Sequence, residues 1–596
     1  MAKREAKEDQ FKTFDGTELH YRTWEPLTEK SNKKALVVMH RGHEHSGRLS
    51  DLIDGMDCDE LWAFAYDARG HGLSPGPRGY APDFSYLVKD MDTFVKMVSE
   101  KHGIPIESMF VVANSVGAVV TSTWVHDYAP AIKGMILAAP AFTIKLYVPM
   151  ALLSLRILNM IKKKAFISSY VKSKFLTHDV NEQKKYDQDK LITPDIAVNI
   201  LIGLNDNAAR VVSDAGAIHT PTLIFSAEKD WIVHSKPQKN FFEGLSSSKK
   251  KFITLSGFFH GVLYEKDRQI AFDECIQFIK ECYGEKTPSV SLVKADVEGY
   301  TYKEYDRLVN YPVSILNSIN YFSQRISLTT LGRLSKGIRI GLKYGFDSGM
   351  SLDHVYKNKA VGITPLGKVI DFFYINAIGW RGIRQRKVHL QQALDQVINA
   401  MITEGKAIRI MDIAGGPGRY LTEVAKKCEH HDLKCLVRDY EKANINEGKQ
   451  IAESLHCHNV EFMVSDAFNP QTYQDQEFRP NVLIVSGLFE LFPSNELVLK
   501  AIEGATAIVE EGGYILYTGQ PWHPQLELIA NTLPNREGAK WIMRRRTQKE
   551  MDELFNIHGA EKSDMKIDKW GIFTVSTANF KKTNKTQEVD RNVKNE

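Results

Sequence analysis

The chain has 596 residues, of which 43% are apolar and 25% charged, with a formal net charge of +4. That length exceeds a single hydrophobic core, so two large domains are expected, and the composition is that of a globular protein. The slight positive balance argues against a nucleic-acid partner. Six scattered cysteines without a CxxC pair argue against a disulfide frame or zinc site and suit a reducing compartment. The opening MAKREAKEDQ leads into no apolar run, so no signal peptide is expected and the location is read as cytoplasmic.

From residue 11 to about 283, the apolar runs ALVVMH, WAFAYD, MFVVAN, KGMILAA, TLIFSA and KKFITL alternate with helical patterns. This alternation predicts a mostly parallel sheet covered on both faces. Between about 142 and 217 the sequence becomes helical and strand-poor, as a cap above such a sheet would be. Within it, residues 146–161 are apolar, interrupted by Pro149 and Arg156 and followed by Lys162, Lys163 and Lys164. That stretch is short for a membrane span and reads as a buried or interfacial helix.

Two of the runs end abruptly. ALVVMH stops at HRGHEHSGR, and MFVVAN breaks at Ser115. Ala113-Asn114-Ser115-Val116-Gly117 approximates the GxSxG elbow, in which small neighbours let a serine stand out on a strained strand-to-helix turn. Asp230 follows the run TLIFSA, and His260 lies in a turn after KKFITL. In the order Ser115, Asp230, His260, the carboxylate can orient the imidazole and the imidazole can take the serine proton. The plainer reading is a strand-end serine, a capping aspartate and a loop histidine; the order and strand context favour the triad. His40, His43, His45 and His71 read as structural or pocket-lining residues rather than as a metal site.

HRGHEHSGR and DARGHGLSPGPRGY (residues 67–80) resemble segments of the monoacylglycerol lipase and lysophospholipase branch of the α/β-hydrolases, also described as serine aminopeptidase S33-like. The resemblance covers roughly residues 11–283. It implies oxyanion donors at the backbone N–H groups of Gly42 and Val116, with Arg41 standing where the family has glycine. It also implies a carboxylic ester of a long-chain lipid as substrate, chosen by the cap. The apolar cap stretch with its lysines suits peripheral contact at the inner face of a membrane.

GEKTPSVS opens a linker over residues 284–299, and residues 300–404 read mainly as helices. A second run of strands, IRIMDIA, CLVRDY, VEFMVSD, VLIVSG and YILYTG, follows within residues 405–580. MKIDKW and IFTVSTA flank Gly571 as a hairpin, and residues 581–596 read as a disordered tail. DIAGGPG is a strand, a glycine turn and the start of a helix, a geometry that lets backbone approach a ligand. Asp412, Asp439 and Asp466 end three successive strand runs. Asp439 is placed to accept from ribose hydroxyls and Asp466 to face an adenine amine. A dinucleotide oxidoreductase is the alternative, but GGPG lacks GxGxxG spacing.

This half resembles class I S-adenosylmethionine-dependent methyltransferases, most closely the methyltransferase domain found attached to α/β-hydrolases. GFDSGMSLDHVY and TPLGKVIDFFYINAIGWRGIRQRK carry that likeness, over about residues 290–580. Ala414 stands where the family's first glycine is common. The resemblance implies S-adenosylmethionine as cofactor, contacted at Asp412, Ala414, Gly416, Gly418, Asp439, Asp466 and Ser486. SGLFELF is expected to line the methyl-bearing end, and GQPWHPQ, with His523, to face the acceptor. Arg381, Arg384, Arg386 and Lys387 either grip an anionic head group or form a solvated helix face.

The expected fold class is therefore α/β in two domains: an α/β-hydrolase fold with a helical cap, then a helical segment and a Rossmann-like class I methyltransferase sheet. The expected function is a serine lipid esterase fused to a methyltransferase. The alternatives are a single catalytic domain with a regulatory or structural partner, and a non-catalytic lipid-binding scaffold. The sequence specifies no oligomeric state.

Overall fold

The computed structural model describes residues 3–28, 33–285, 290–474 and 477–582. The chain divides into two compact units, Met1–Ser289 and Val290–Glu596. The first contains strands β1 (Ala6–Lys12), β2 (Glu18–Trp24), β3 (Ala35–Met39), β4 (Trp62–Tyr66), β5 (Met109–Asn114) and β6 (Gly134–Ala138). It continues with β7 (Phe166–Ser168), β8 (Asp195–Ala197), β9 (Thr222–Ala227) and β10 (Lys250–Leu255). Eight of these form one sheet in the order β1-β2-β4-β3-β5-β6-β9-β10. From β4 to β10 every pairing is parallel, while β1–β2 and β2–β4 are antiparallel.

The six apolar runs are β3, β4, β5, β6, β9 and β10. Strands β3, β5, β6 and β9 are buried along their whole length, because helices cover both faces. The expected start at residue 11 needs correction, since the sheet already begins at Ala6. Edge strand β1 buries only Phe11 and exposes charged residues, as unpaired edges commonly do, so it carries no apolar run.

The cap comprises helices Ala151–Ile161, Val180–Gln188 and Val198–Ser213 with the small antiparallel pair β7–β8. Arg210 on the last helix pairs with Asp127 at 2.6 and 2.9 Å, and His126 bridges Asp127 and Asp214 at 2.7 Å each. This buried network fastens the cap to helix Val116–Tyr128. Helix Ala151–Ile161 has no buried residue, which removes the reading of a buried cap helix. Among the described residues no helix is long and apolar enough to cross a membrane.

The second unit contains β11 (Ile408–Asp412), β12 (Leu433–Asp439), β13 (Val460–Val464), β14 (Val482–Val485), β15 (Tyr514–Gly519), β16 (Ala560–Ile567) and β17 (Thr574–Phe580). Their order is β13-β12-β11-β14-β15-β17-β16. The first five are parallel, and β17 runs antiparallel to both neighbours. Chain order reverses between β11 and β14, and open sheets of this kind place ligands outside the carboxyl ends at such a switch point. Helices between residues 300 and 403 precede the sheet.

The linker expected over residues 284–299 is shorter than that. Helix Gln269–Gly284 reaches into it from one side. From the other, Leu292 and Ala295 are buried, and the Asn495 side chain donates to the carbonyls of Leu292 and Val293. Residues 286–289 of the linker and 583–596 of the tail lie outside the described residues.

Candidate active sites

Ser115 stands between β5 and helix Val116–Tyr128 at φ 50, ψ −110, a conformation that non-glycine residues rarely adopt. The turn closes because its neighbours are small. Ala113 is fully buried, and a Cβ on Gly117 would sit 2.5 Å from the His40 carbonyl at the end of β3. The Ser115 hydroxyl donates to Nε2 of His260 at 2.8 Å, and His260 Nδ1–H donates to Oδ2 of Asp230 at 2.8 Å. Oδ1 of Asp230 accepts the N–H groups of Ile232 and Val233 at 2.7 and 2.9 Å. Burial opposes the charge on Asp230, but His260 and those two amides outweigh it and hold the carboxyl below its ordinary range.

Gly42 and Val116 line the cavity beside Ser115, and a Cβ on Gly42 would lie 3.1 Å from Val116 Cγ2. Val116 is the first residue of its helix, where an N–H has no intrahelical acceptor. Asp67 ties the two motif loops together. Its Oδ1 accepts the N–H and hydroxyl of Ser46 at 2.6 Å each, and its Oδ2 accepts Leu73 N–H at 2.8 Å. His40 Nδ1–H donates to the Arg41 carbonyl at 2.7 Å, and its Nε2 accepts Ala68 N–H at 3.0 Å. His45 lies 2.9 Å from Asp189, and burial lowers His71 to about 3.

Sequence reasoning left the role of Arg41 open. Its guanidinium donates to Glu44 at 2.7 Å and lies over the Tyr264 ring at 4.7 Å. It also abuts Gly261, where a Cβ would come within 2.6 Å of Nη1. Arg41 thus joins the loop of Gly42 to the turn of His260, a link invisible until the two are close in space. Above the triad the cap encloses a cavity of about 880 Å³. Leu155 and Leu158 of helix Ala151–Ile161 line it, as do Ile200, Leu201 and Leu204 of helix Val198–Ser213.

In the second unit a cavity of about 740 Å³ lies along the carboxyl ends of β11 to β14. Ala414, Gly416, Gly418, Asp439, Asp466 and Ser486 all line it. Gly416 and Gly418 have φ values of 58 and 64, which a side chain would strain; Gly416 presents bare backbone to the cavity, while a Cβ on Gly418 would meet Val437 at 2.9 Å. Oδ2 of Asp439 accepts the Gly416 N–H, and Oδ1 accepts the Glu441 N–H and the Asn444 amide, each at 2.9 Å. The Asp466 carboxylate accepts Phe468 N–H at 2.9 Å. Asp347, Ser348, Gly349, Asp353 and Tyr356 close the cavity from the helical segment.

Asp412 needs correction. It is fully buried beneath the glycine loop, where a Cβ on Gly415 would meet its Oδ2 at 2.6 Å, and it accepts the Tyr420 hydroxyl rather than lining the cavity. The basic quartet also separates. Arg381 stacks over Trp570 at 4.7 Å, Arg384 donates to the Ile375 carbonyl, and Lys387 pairs with Glu423 at 2.7 Å. Only Arg386 lines a second, smaller chamber of about 210 Å³ that shares Asp347, Leu352, Gly487 and Leu491 with the first. Glu490 lies 3.9 Å from Arg386, and burial raises its carboxyl above the ordinary range. His523 lines the same chamber, and burial lowers it to about 4, so the imidazole is neutral at pH 7. Glu490 was legible only as part of SGLFELF, because helix phase and burial select it.

Residues 275–580 match the family described as "Putative methyltransferase", and residues 30–267 match the family described as "Serine aminopeptidase, S33". The chain is 43% identical over 572 residues to the uncharacterized protein YnbC of Escherichia coli K12, spanning 95% of this chain and 97% of that one. Its first half is similar to the monoglyceride lipase of Rattus norvegicus, at 27% identity over 41% of this chain and 80% of that one. It is likewise similar to the monoacylglycerol lipase of Mycolicibacterium smegmatis, at 23% identity over 46% of this chain and 96% of that one.

Burial pushes the Asp412 carboxyl up to about 7, although the Tyr420 hydroxyl pulls it down. The folded state therefore keeps a proton that the unfolded chain releases near 3.8. Stability from this group is complete below the unfolded value and is lost as pH rises through about 7. Asp412→Asn, which cannot ionise, should gain stability relative to wild type from about pH 4 to about pH 7 and hold that gain above it. Urea unfolding of both proteins from pH 5 to pH 8 measures this; a constant difference would show that Asp412 titrates normally.

Proposed function

Since the chain belongs to the family described as "Putative methyltransferase" and joins to it an α/β-hydrolase domain of the S33 type, we propose that it is a bifunctional enzyme of lipids. Its first unit hydrolyses carboxylic esters of long-chain lipids, and its second transfers methyl groups from S-adenosylmethionine. One observation carries the esterase reading: a continuous Ser115–His260–Asp230 hydrogen-bond chain opening on an aliphatic cavity of about 880 Å³.

In this mechanism His260 Nε2 takes the Ser115 proton as Oγ attacks the ester carbonyl. Asp230 holds Nδ1–H and stabilises the imidazolium. The N–H groups of Gly42 and Val116 receive the oxyanion. His260 then returns its proton to the leaving alkoxide, and a water, deprotonated by the same imidazole, releases the acid. The cap cavity takes the acyl chain. The outward apolar side of helix Ala151–Ile161, with Ile157 50% and Met160 82% exposed, supports loading from a membrane surface.

The donor reading rests on the bare glycine loop at the sheet's switch point. When bound, S-adenosylmethionine supplies an electrophilic methyl group. Gly416 and Gly418 would let backbone approach it, Asp466 and Ser486 would border it, and Asp439 would hold both loop and ribose. The smaller chamber would orient the acceptor, with Arg386, Glu490 and neutral His523 as its polar groups. Methyl transfer asks little more of a protein than such positioning.

Ser115→Ala should lower hydrolysis of p-nitrophenyl palmitate by about four orders of magnitude without loss of fold. An unchanged rate would exclude Ser115 as nucleophile. Leu155→Asp with Leu158→Asp should depress hydrolysis of the palmitate far more than of the acetate; equal losses would make the cap merely structural. For the donor, calorimetric titration with S-adenosylhomocysteine should show Asp439→Ala binding at least about tenfold more weakly than wild type, while esterase activity persists. Wild-type protein that binds none would refute the methyl-donor site.

A further inference from the structure

The second unit carries an amphipathic helix mounted with its polar side inward. In helix Ile315–Thr329, Asn317 and Tyr321 donate to Glu527 at 3.1 and 3.0 Å, and Arg325 donates to the Asn531 carbonyl at 2.6 Å. Those residues recur every fourth position and so share one face. Leu328, close to the same face, lines the small chamber. The apolar stripe Ile315, Ile319, Phe322, Ile326 lies on another side, and no residue of the helix is buried. Ile315 and Leu316 are each 80% exposed and Phe322 64%. Surface helices of globular proteins are ordinarily mounted the other way round.

The apolar surface does not stop there. The turn Leu331–Leu334 packs on this helix and on helices Lys336–Tyr344 and Pro365–Ile375. Ile363 N–H donates to the Leu334 carbonyl at 2.9 Å, and helix Pro365–Ile375, packed on the same turn, exposes Leu366, Val369, Phe372 and Phe373, the last 70% exposed. Exposed apolar side chains on two helices joined through one turn are the mark of a docking surface.

Charge selects the occupant. Residues 307–346 contain six Lys or Arg and not one Asp or Glu. Arg307 lies 4.0 Å from Glu527, Arg325 turns to Asn531 and Lys343 lines the larger cavity, which leaves Arg333 and Lys336 exposed at the turn beside the apolar surface. A second copy presenting the same face would meet like charge. So would the cap stretch 145–164 of the first unit, with Lys145, Arg156, Lys162, Lys163 and Lys164 and no acidic residue. A surface that is negative outside and apolar within meets both demands. We propose that the second unit docks on anionic lipid bilayers through helix Ile315–Thr329, lying in the interface plane with Ile319 and Phe322 inserted among the acyl chains.

The test uses the full-length protein and sedimentation with vesicles of phosphatidylcholine alone or mixed with phosphatidylglycerol. Wild type should bind the mixed vesicles more tightly, and the double variant Ile319→Glu, Phe322→Glu should bind them about tenfold or more weakly, with its thermal unfolding unchanged. Because the cap can itself reach a membrane, hydrogen exchange supplies a second reading on the unmutated chain. Amides in 315–329 should gain protection when mixed vesicles are added. The proposal is overturned if the variant binds as wild type does, if phosphatidylglycerol makes no difference, or if vesicles leave exchange in 315–329 unchanged. It is equally overturned if wild-type protein buries that helix in a dimer that the variant dissolves, or if the variant melts early because the first unit covers the helix. None of these readouts depends on methyl transfer, so that reading stands or falls separately.

Discussion

A parallel sheet covered on both faces has no solvent-facing side, and this constraint governs both halves of the molecule. Strands β3, β5, β6 and β9 are buried from end to end, as is β14 in the second unit. Polar chemistry is therefore pushed to the strand ends, where the chain leaves the sheet. Ser115, Asp230 and the Gly42 loop follow β5, β9 and β3, and His260 follows β10. Asp439, Asp466 and Ser486 end or follow β12, β13 and β14. Residues far apart in sequence become neighbours because parallel strands bring their carboxyl ends to one edge.

Holding such loops still requires buried charge, and most of it is paired. Asp67 binds the two motif loops of the first unit through three hydrogen bonds. The Arg41–Glu44–Arg48 group joins the Gly42 loop to the His260 turn, with Arg48 donating to Glu44 at 2.9 Å. Asp439 does similar work in the second unit, fixing Gly416, Glu441 and Asn444 at once. Buried ions of this kind add little net stability, since desolvation offsets most of their attraction, but breaking one leaves its partner uncompensated. Their effect is to select a single loop geometry. Arg386, which lines both chambers, and Glu490, which lines the smaller, differ, being buried 3.9 Å apart. Polar groups left loosely partnered beside a chamber are what an acceptor would need to meet.

The two units share a second property. Each has an exposed apolar helix set in a stretch without acidic residues, Ala151–Ile161 in one and Ile315–Thr329 in the other. In both cases the inner side of the same helix lines a chamber, through Leu155 and Leu158 in the first and Leu328 in the second. The proposed docking of both helices on a lipid surface would account for this repetition, giving the proposed lipid substrates a short path to each site.

The sequence by itself determined what depends on local pattern. Buried parallel strands are continuous apolar runs, so β3 to β6, β9, β11, β12, β14 and β15 were legible, as was the order Ser115, Asp230, His260. The partly exposed edges β10 and β13 and the antiparallel pair β16–β17 were read from shorter apolar runs. Edge strand β1 was not, because its exposed charges are an edge strand's own pattern. Tertiary structure alone decided the rest. Asp412 looks like its neighbours Asp439 and Asp466 in sequence, but Gly415 and Tyr420 close over it. Arg386 was one of four basic candidates until helix phase turned the others to Trp570, Ile375 and Glu423. Residues 290–299 read as linker because Asn495, which holds them, lies some two hundred residues away. Helical periodicity shows that 315–329 has two faces but not which turns inward. Hydrogen bonds to Glu527 and Asn531 decide that, and long-range partners of this kind leave no trace in a local pattern.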